Sequence, residues 1–556
     1  MKKTLILSLF FIATLSLKSQ IPEFANKIDS LVGSQFNNGS PGGVIGVVKD
    51  GKILYKKTFG LSNLDYGIPV TDSTLFNLAS VSKQFTAFLV LLLEKEGKLN
   101  LDDTIQKYIP ELKVYGAITI RQLLHHTSGI PPSDNLRLFA GISLEMPWDT
   151  EDEFSMIQIY HKLNFKPNEE YDYSNAGYFL LTRIIEKVTG KPFSQCIKEN
   201  LFEPLNMKTA CIYDSPGKVI RNRAAGYRKA GDSFSETNTE GESYCGSTNL
   251  YASVNDLINW SNNITYNSLG GKQLCDRLLN PTDTLNNGDT ISYTYGLFVW
   301  KYRGLKFVDH GGFTMGFKTQ ITIVPEAGLS VFVLSNNENT DPKNIAMKIV
   351  DWSLKDLLKP ETKVVHKEIV INKELNHLYK GSYIFPDGMV LKFDNENDTL
   401  KLLIPGAPKF VIYPEKDNEF FLKDFDAQCT FVKDSKGKVN EIIWHQSNQN
   451  PKGVRYTESK PLTQKELQSY TGKYEIPELN VTYPVFIKDN DLIITLPKTF
   501  RMVNIDPNMK IKHTSGDKFY GSLAMLEFKR NKEGKVTGFV IADVDRLRNI
   551  EFTKKD

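Results

Sequence analysis

Two short patterns recur in the last third of this chain, and they limit its architecture more than any other feature. Tyr379-Lys-Gly-Ser-Tyr383 returns 91 residues later as Tyr470-Thr-Gly-Lys-Tyr474. Phe431-x-x-Asp434-x-x-Gly437-Lys-Val439 returns after 97 residues as Phe528-x-x-Asn531-x-x-Gly534-Lys-Val536. Related signals in the same order mark a duplicated module, each copy a supersecondary unit in its own right. Short β-type runs parted by Asp, Asn and Gly turns predict two small all-β barrels or sandwiches, over residues 365–457 and 461–556. Neither copy carries a recognisable catalytic set.

The 556 residues leave room for a larger domain ahead of that pair. Residues 43–56 (GVIGVVKDGKILYK) read as a hairpin turning at Asp50-Gly51. A helix-rich stretch runs to about residue 265. Strand signals return at Tyr293–Trp300, Phe317–Val324 and Leu329–Leu334, and a helix from about Asn344 to Leu358 closes the region. Strands at both ends with helices between them predict an α+β domain built on an antiparallel sheet, over residues 20–358.

Residues 1–19 read as an export leader, with Lys2 and Lys3 ahead of an apolar run, Thr4–Leu17, too short to span a bilayer. No cysteine precedes Cys196, so no lipid-acceptor residue lies near the cleavage point. The expectation is an exported protein, periplasmic or secreted, with no membrane anchor once the leader is removed. The net charge of +3 falls to about zero when Lys2, Lys3 and Lys18 go with the leader. A neutral chain gives no electrostatic case for nucleic acid. The five cysteines form no C-x-x-C, so no metal site is expected, although one disulfide within Cys196–Cys275 is left open. No cofactor is expected, and the sequence does not fix the oligomeric state. His125 and His126, adjacent in sequence, make a poor chelate and read as structural.

The chemistry concentrates in residues 75–97, LFNLASVSKQFTAFLVLLLEKEG. Ser80 and Lys83 stand three apart at the start of an amphipathic helix, on one face and near its N-terminus. There the lysine is placed to take the hydroxyl proton, and N-terminal N–H groups to stabilise an oxyanion. S-x-x-K alone is common; three others begin at Ser215, Ser435 and Ser515, none opening such a helix. Tyr173-Ser-Asn175 is the chain's single Y-x-N, and His310-Gly-Gly312 its single H-x-G. The absence of G-x-S-x-G argues against an α/β-hydrolase.

In this order the three motifs resemble those of penicillin-recognising serine hydrolases, the serine β-lactamase family. Residues 76–88 (FNLASVSKQFTAF), 123–130 (LLHHTSGI), 173–190 (YSNAGYFLLTRIIEKVTG), 202–209 (FEPLNMKT) and 310–317 (HGGFTMGF) carry the resemblance. It is nearest to the class C β-lactamase-like and D-stereospecific peptidase branch. One departure is plain: His310 and Gly311 stand where Lys and Ser or Thr are usual, a variant more like esterases and D-aminopeptidases. The resemblance implies a β-lactamase/transpeptidase-like catalytic domain. It also implies Ser80 as acylated nucleophile, with Lys83 and Tyr173 sharing general-base work and Tyr173 returning the proton to the leaving group. Asn175 would position Lys83 and the substrate amide. His310 would support the proton network or a substrate carboxylate, and Gly312 would let substrate lie close along the strand. The N–H groups of Ser80 and Phe313 would form the oxyanion hole, and the His125–His126 turn would be scaffold. The implied activity is acyl-enzyme hydrolysis of a small-molecule or short-peptide substrate, with D-amino-acid peptides preferred. Carboxylesterase and β-lactamase are the alternatives within enzymes, and a non-catalytic cell-wall-peptide sensor is the alternative outside them. D-aminopeptidases pair such a domain with two β-barrels, which implies a loop that overhangs the Ser80 cleft and gates it; the alternative for the repeats is a passive stalk or wall-binding unit.

Overall fold

The computed structural model describes residues 23–555 except 34, 37–38, 238–240, 282, 361–365, 372–375, 387, 405–407, 447–449 and 457–460. The expected leader lies outside the described residues. The chain divides into two units. The first takes residues up to Ser133 and Glu145–Glu361; the second takes Asp134–Leu144 and Thr362–Asp556.

The first unit is built on a six-stranded antiparallel sheet. Its strands are β1 (Gly43–Lys49), β2 (Lys52–Phe59), β3 (Phe298–Tyr302), β4 (Leu305–Thr314), β5 (Phe317–Val324) and β6 (Leu329–Ser335). Their order across the sheet is β3-β4-β5-β6-β1-β2, so the sheet's first and last strands in sequence meet where β1 pairs with β6, Gly43 opposite Ser335. The β1–β2 hairpin turns at Asp50 and Gly51, whose φ of 49° and 72° give the left-handed pair that a tight hairpin needs. Helices α1 (residues 23–32) and α5 (Pro342–Ser353) cover one face through Ile28, Val32, Ile345 and Ile349, all fully buried against Val47, Val331 and Val333. Between β2 and β3 lie the helices that carry the site. The principal ones are α2 (Lys83–Lys95), α3 (Asn175–Thr189) and α4 (Val254–Tyr266). α3 stops at Gly190, a left-handed cap with φ 69°.

β3 begins later than the sequence pattern suggested, at Phe298 rather than Tyr293. Gly296 is the reason. Its φ is 81°, and a Cβ there would lie 2.4 Å from the Gln84 backbone nitrogen, so residues 293–297 form a tight turn against α2 before the strand starts. All five cysteines are free thiols, so the disulfide left open by sequence is not formed.

The second unit holds two closed eight-stranded barrels, from Gly381–Ile384 to Lys452–Tyr456 and from Gly472–Ile476 to Leu547–Lys555. The repeated patterns now have physical reasons. Gly381 and Gly472 sit at φ 149° and 146°, a conformation that a side chain strains. In each copy the second tyrosine points inward and donates to the carbonyl of the first: Tyr383 to Tyr379 at 3.1 Å, Tyr474 to Tyr470 at 2.6 Å. Phe431 and Phe528 fill the interiors against those tyrosines. Asp434 and Asn531 each accept a backbone N–H from four residues on, and Gly437 and Gly534 supply φ of 78° and 79°.

The excursion Asp134–Leu144 belongs to this unit and docks on the second barrel. Phe139 packs edge-on to Phe500 with centroids 5.0 Å apart, Thr499 Oγ1 donates to the Leu138 carbonyl at 2.8 Å, and the Tyr483 hydroxyl donates to the Phe139 carbonyl. Nothing in the sequence reading anticipated this contact. In the first unit, the neck of the excursion is held by the fully buried Glu153, whose carboxylate accepts the Ser133 hydroxyl and, at 2.9 Å, the Trp148 indole N–H.

Candidate active site

The nucleophile candidate sits just beyond a strained turn. Ala79 has φ 48°, unusual for a residue with a Cβ, and its N–H is held by Asn77 Oδ1 at 2.9 Å. Residues Ala79–Ser82 form a single 3₁₀ turn, and α2 proper starts at Lys83. Ser80 therefore lies one turn before the α-helix rather than inside it, half-buried, with Lys83 completely buried beneath. The strain is braced from the sheet. Thr319 Oγ1 on β5 donates to the Leu78 carbonyl at 2.9 Å, and opposite Thr319 stands Gly312 on β4.

Gly312 has a sharper reason than the one expected. A Cβ at this position would meet the Leu78 carbonyl and Thr319 Oγ1 at 2.3 Å, and the Ala79 Cβ at 3.0 Å. The missing side chain lets β4 touch the turn that presents Ser80. Phe313, the next residue, lies beside this contact; its ring is 57% exposed and faces away from it, beneath the Lys318 ammonium at 4.5 Å.

Lys83 Nζ is the centre of the cluster. It lies 3.2 Å from Ser80 Oγ, 2.8 Å from Asn175 Oδ1 at the start of α3, and 2.9 Å from the Ser247 carbonyl. Two of these partners, an amide oxygen and a peptide carbonyl, only accept. They fix two N–H bonds of the amine, and the third valence then points at Ser80 Oγ. In the neutral amine that valence is a lone pair aimed at the hydroxyl proton. The Tyr173 ring lies under the ammonium, 4.7 Å from Nζ to centroid, and Tyr178 follows at 5.7 Å.

Tyr173 is gripped by an aromatic cluster. The His126 ring lies tilted against it at 4.3 Å, Tyr293 meets it edge-on at 5.9 Å, and His310 is 6.1 Å away. His126 itself has φ 57°; its carbonyl accepts the Asp172 N–H at 2.9 Å and its Nδ1 accepts the Ser174 N–H at 3.1 Å. One histidine of the expected scaffold pair thus flanks Tyr173 on both the backbone and the ring side. His125 looks elsewhere, to Asp283 at 3.0 Å and the Tyr293 carbonyl at 2.9 Å.

His310 corrects the sequence expectation. Nδ1 lies 2.6 Å from the Gly311 carbonyl and Nε2 3.0 Å from the Tyr293 hydroxyl, so both ring nitrogens are engaged inside the protein. Burial, reinforced by the Lys83 charge, pushes its pKa down to about 3. A neutral, internally satisfied imidazole offers no cation to a substrate carboxylate, and its nitrogens are not open to the proton network.

The structure thus brings Ser80, Lys83, Tyr173, Asn175, His310 and Gly312 into one place, with Phe313 at its edge. Sequence reasoning missed the Ser247 carbonyl, His126 and Tyr293. The first is a backbone atom and leaves no side-chain signal. His126 reads in the sequence as scaffold and not as a neighbour of Tyr173, and Tyr293 lies in no motif.

Known proteins resemble the chain in family and in fold. The sequence model of the family described as Beta-lactamase matches residues 24–354, more than half of the chain. A domain of unknown function, DUF3471, matches residues 456–554, which include the second barrel. Penicillin-binding protein 4* of Bacillus subtilis (strain 168) is 29% identical over 444 residues, covering 75% of this chain and 94% of that protein. A D-aminopeptidase of Gluconobacter oxydans (strain 621H) is 28% identical over 297 residues, 53% of this chain and 56% of that protein, so little more than half of its length is matched. Among solved structures, the octameric penicillin-binding protein homologue from Pyrococcus abyssi superposes with a TM-score of 0.54 at 22% identity, over 86% of this chain and 98% of that one. The D-amino acid amidase from Ochrobactrum anthropi SV3, in complex with L-phenylalanine amide, gives a TM-score of 0.51 at 21% identity, over 60% and 98%. Both likenesses are to the fold.

Proposed function

The chain belongs to the beta-lactamase family of serine hydrolases and is a hydrolytic enzyme; from that premise we propose that it cleaves small amides and esters of D-amino acids through an acyl-enzyme on Ser80. The observation that carries the reading is the three-way hold on Lys83 Nζ by Asn175 Oδ1, the Ser247 carbonyl and Ser80 Oγ. Neutral Lys83 takes the Ser80 proton as Oγ attacks the carbonyl carbon, and the N–H groups of Ser80 and Phe313 receive the oxyanion. Tyr173 protonates the leaving amine or alcohol, then as tyrosinate takes a proton from the water that releases the acid, while Lys83 returns its proton to Ser80 Oγ. Asn175 keeps Lys83 aimed throughout.

The D-amino-acid preference draws on two supports. One is the likeness to a D-aminopeptidase. The other is His310, whose neutral, internally bonded ring gives a substrate carboxylate no partner at the third motif. We also propose export, on the strength of Lys2, Lys3 and the apolar run after them; N-terminal sequencing of the mature protein, expected to begin near Gln20, checks this.

The deciding experiment is a substrate panel run beside Ser80→Ala: D- and L-amino-acid p-nitroanilides, short-chain p-nitrophenyl esters and nitrocefin. Turnover of D-anilides and esters above L-anilides and nitrocefin, abolished in Ser80→Ala, is the expected result. Dominant nitrocefin hydrolysis would reassign the enzyme to β-lactam substrates. Acylation without turnover would make it a sensor.

A further inference from the structure

Tyr293 is a residue for which the proposed chemistry has no task, yet it touches every aromatic part of the site. It is fully buried, its ring lies 4.6 Å from His126, 4.7 Å from Phe298 and 5.9 Å from Tyr173, and its carbonyl accepts from His125 Nδ1. Its hydroxyl lies 3.0 Å from His310 Nε2.

The proton positions follow from the partners. The Gly311 carbonyl only accepts, so His310 Nδ1, 2.6 Å away, carries the hydrogen. A neutral ring then has its lone pair on Nε2, and the Tyr293 hydroxyl donates to it. Without that donor, a basic nitrogen would stand bare 6.1 Å (ring to ring) from Tyr173, in the pocket where Lys83 and Tyr173 exchange protons.

We propose that Tyr293 is a positioning residue: its hydroxyl locks His310 in the Nδ1–H tautomer and occupies the Nε2 lone pair, confining proton transfer to Lys83 and Tyr173. The proposal rests on the hydrolase reading above. Tyr293→Phe removes the hydroxyl and keeps the ring, so the packing around Tyr173 and His126 survives.

The test measures kcat and KM on a p-nitrophenyl ester and, in parallel, the ¹⁵N spectrum of histidine-labelled protein. Wild type should show His310 protonated on Nδ1 with a hydrogen-bonded Nε2. Tyr293→Phe should lose that signature and drop kcat about 10-fold, the scale of one lost hydrogen bond, with KM unchanged. A wild-type kcat in Tyr293→Phe overturns the proposal. So does a reduced kcat with the His310 signature intact, because the loss would then be structural. Should wild type turn over no substrate, the hydrolase reading fails by itself, and the lock stands or falls on whether the ¹⁵N signature changes in Tyr293→Phe.

Discussion

The interior around Ser80 and the interiors of the two barrels are built from opposite materials. Around Ser80 the buried groups are an amine, two amides, backbone carbonyls and an imidazole, set on a backbone with Ala79 and His126 both at positive φ. In the barrels the buried groups are Phe and Tyr rings in edge-on and tilted contact, and Tyr379, Tyr383 and Tyr474 donate to carbonyls of their own module while Tyr483 donates to the Phe139 carbonyl. Strain and buried polarity cost stability, and they persist where the surrounding structure imposes them. Under the proposed function the chemistry belongs to the first unit, and the barrel interiors are built of packed rings. The contrast makes the two regions respond differently to mutation: one in rate, the other in stability.

The largest expected effect is on rate. Lys83→Ala and Tyr173→Phe should each lower kcat on the preferred ester on the order of 10²–10⁴-fold, the usual reach of general acid–base catalysis, with little change in melting temperature. If both keep near-normal rates, the proton network is wrongly assigned and the contrast collapses. The mirror experiment is Phe431→Ala in the first barrel. Removing a fully buried ring should cost about 3–5 kcal/mol in urea unfolding of the second unit while leaving kcat per folded molecule unchanged. A rate loss without a stability loss there would put the barrel in the chemistry.

A pH experiment sharpens the comparison further. His310 is held neutral in the folded protein down to about 3, whereas an unfolded histidine takes a proton near 6.5. As pH falls below 6.5 the unfolded state gains that proton and the folded state does not, so stability drops toward acid. At pH 5 the deficit is about 2 kcal/mol, and it should be missing in His310→Gln. Parallel pH curves for the two proteins would show that His310 is not a buried neutral base. The smallest effect belongs to Gly472→Ala, which forces a side chain into φ 146° with the Lys554 Cε 2.7 Å away. It should lower stability by about 1–2 kcal/mol through strain, read as a shifted unfolding midpoint.

What could be read in advance follows the same divide. The barrels were legible because their turns and inward tyrosines are local: glycine at a required positive φ and Tyr four residues apart leave a mark in sequence, twice. The hairpin at Asp50-Gly51 was legible for the same reason. The nucleophile, its lysine, Tyr173 and Asn175 stood out because their chemistry needs particular side chains at fixed spacing. Contacts made by backbone or by distant residues were not legible. The Ser247 carbonyl on Lys83 has no residue type to announce it, and Tyr293 reaches His310 only after β3 and β4 are paired. The docking of residues 134–144 on the second barrel was hidden too, since no motif or repeat in that stretch marks it for the second unit.

The central claim, that the strained turn at Ala79 and the fixed amine of Lys83 make Ser80 the nucleophile, has one direct test. Intact protein is treated with a fluorophosphonate probe, digested, and the labelled peptide identified by mass spectrometry, with Lys83→Ala treated in parallel. One adduct per molecule on Ser80, formed much more slowly in Lys83→Ala, is the predicted result. An adduct on another serine, or labelling of Ser80 at the same rate without Lys83, would contradict the account.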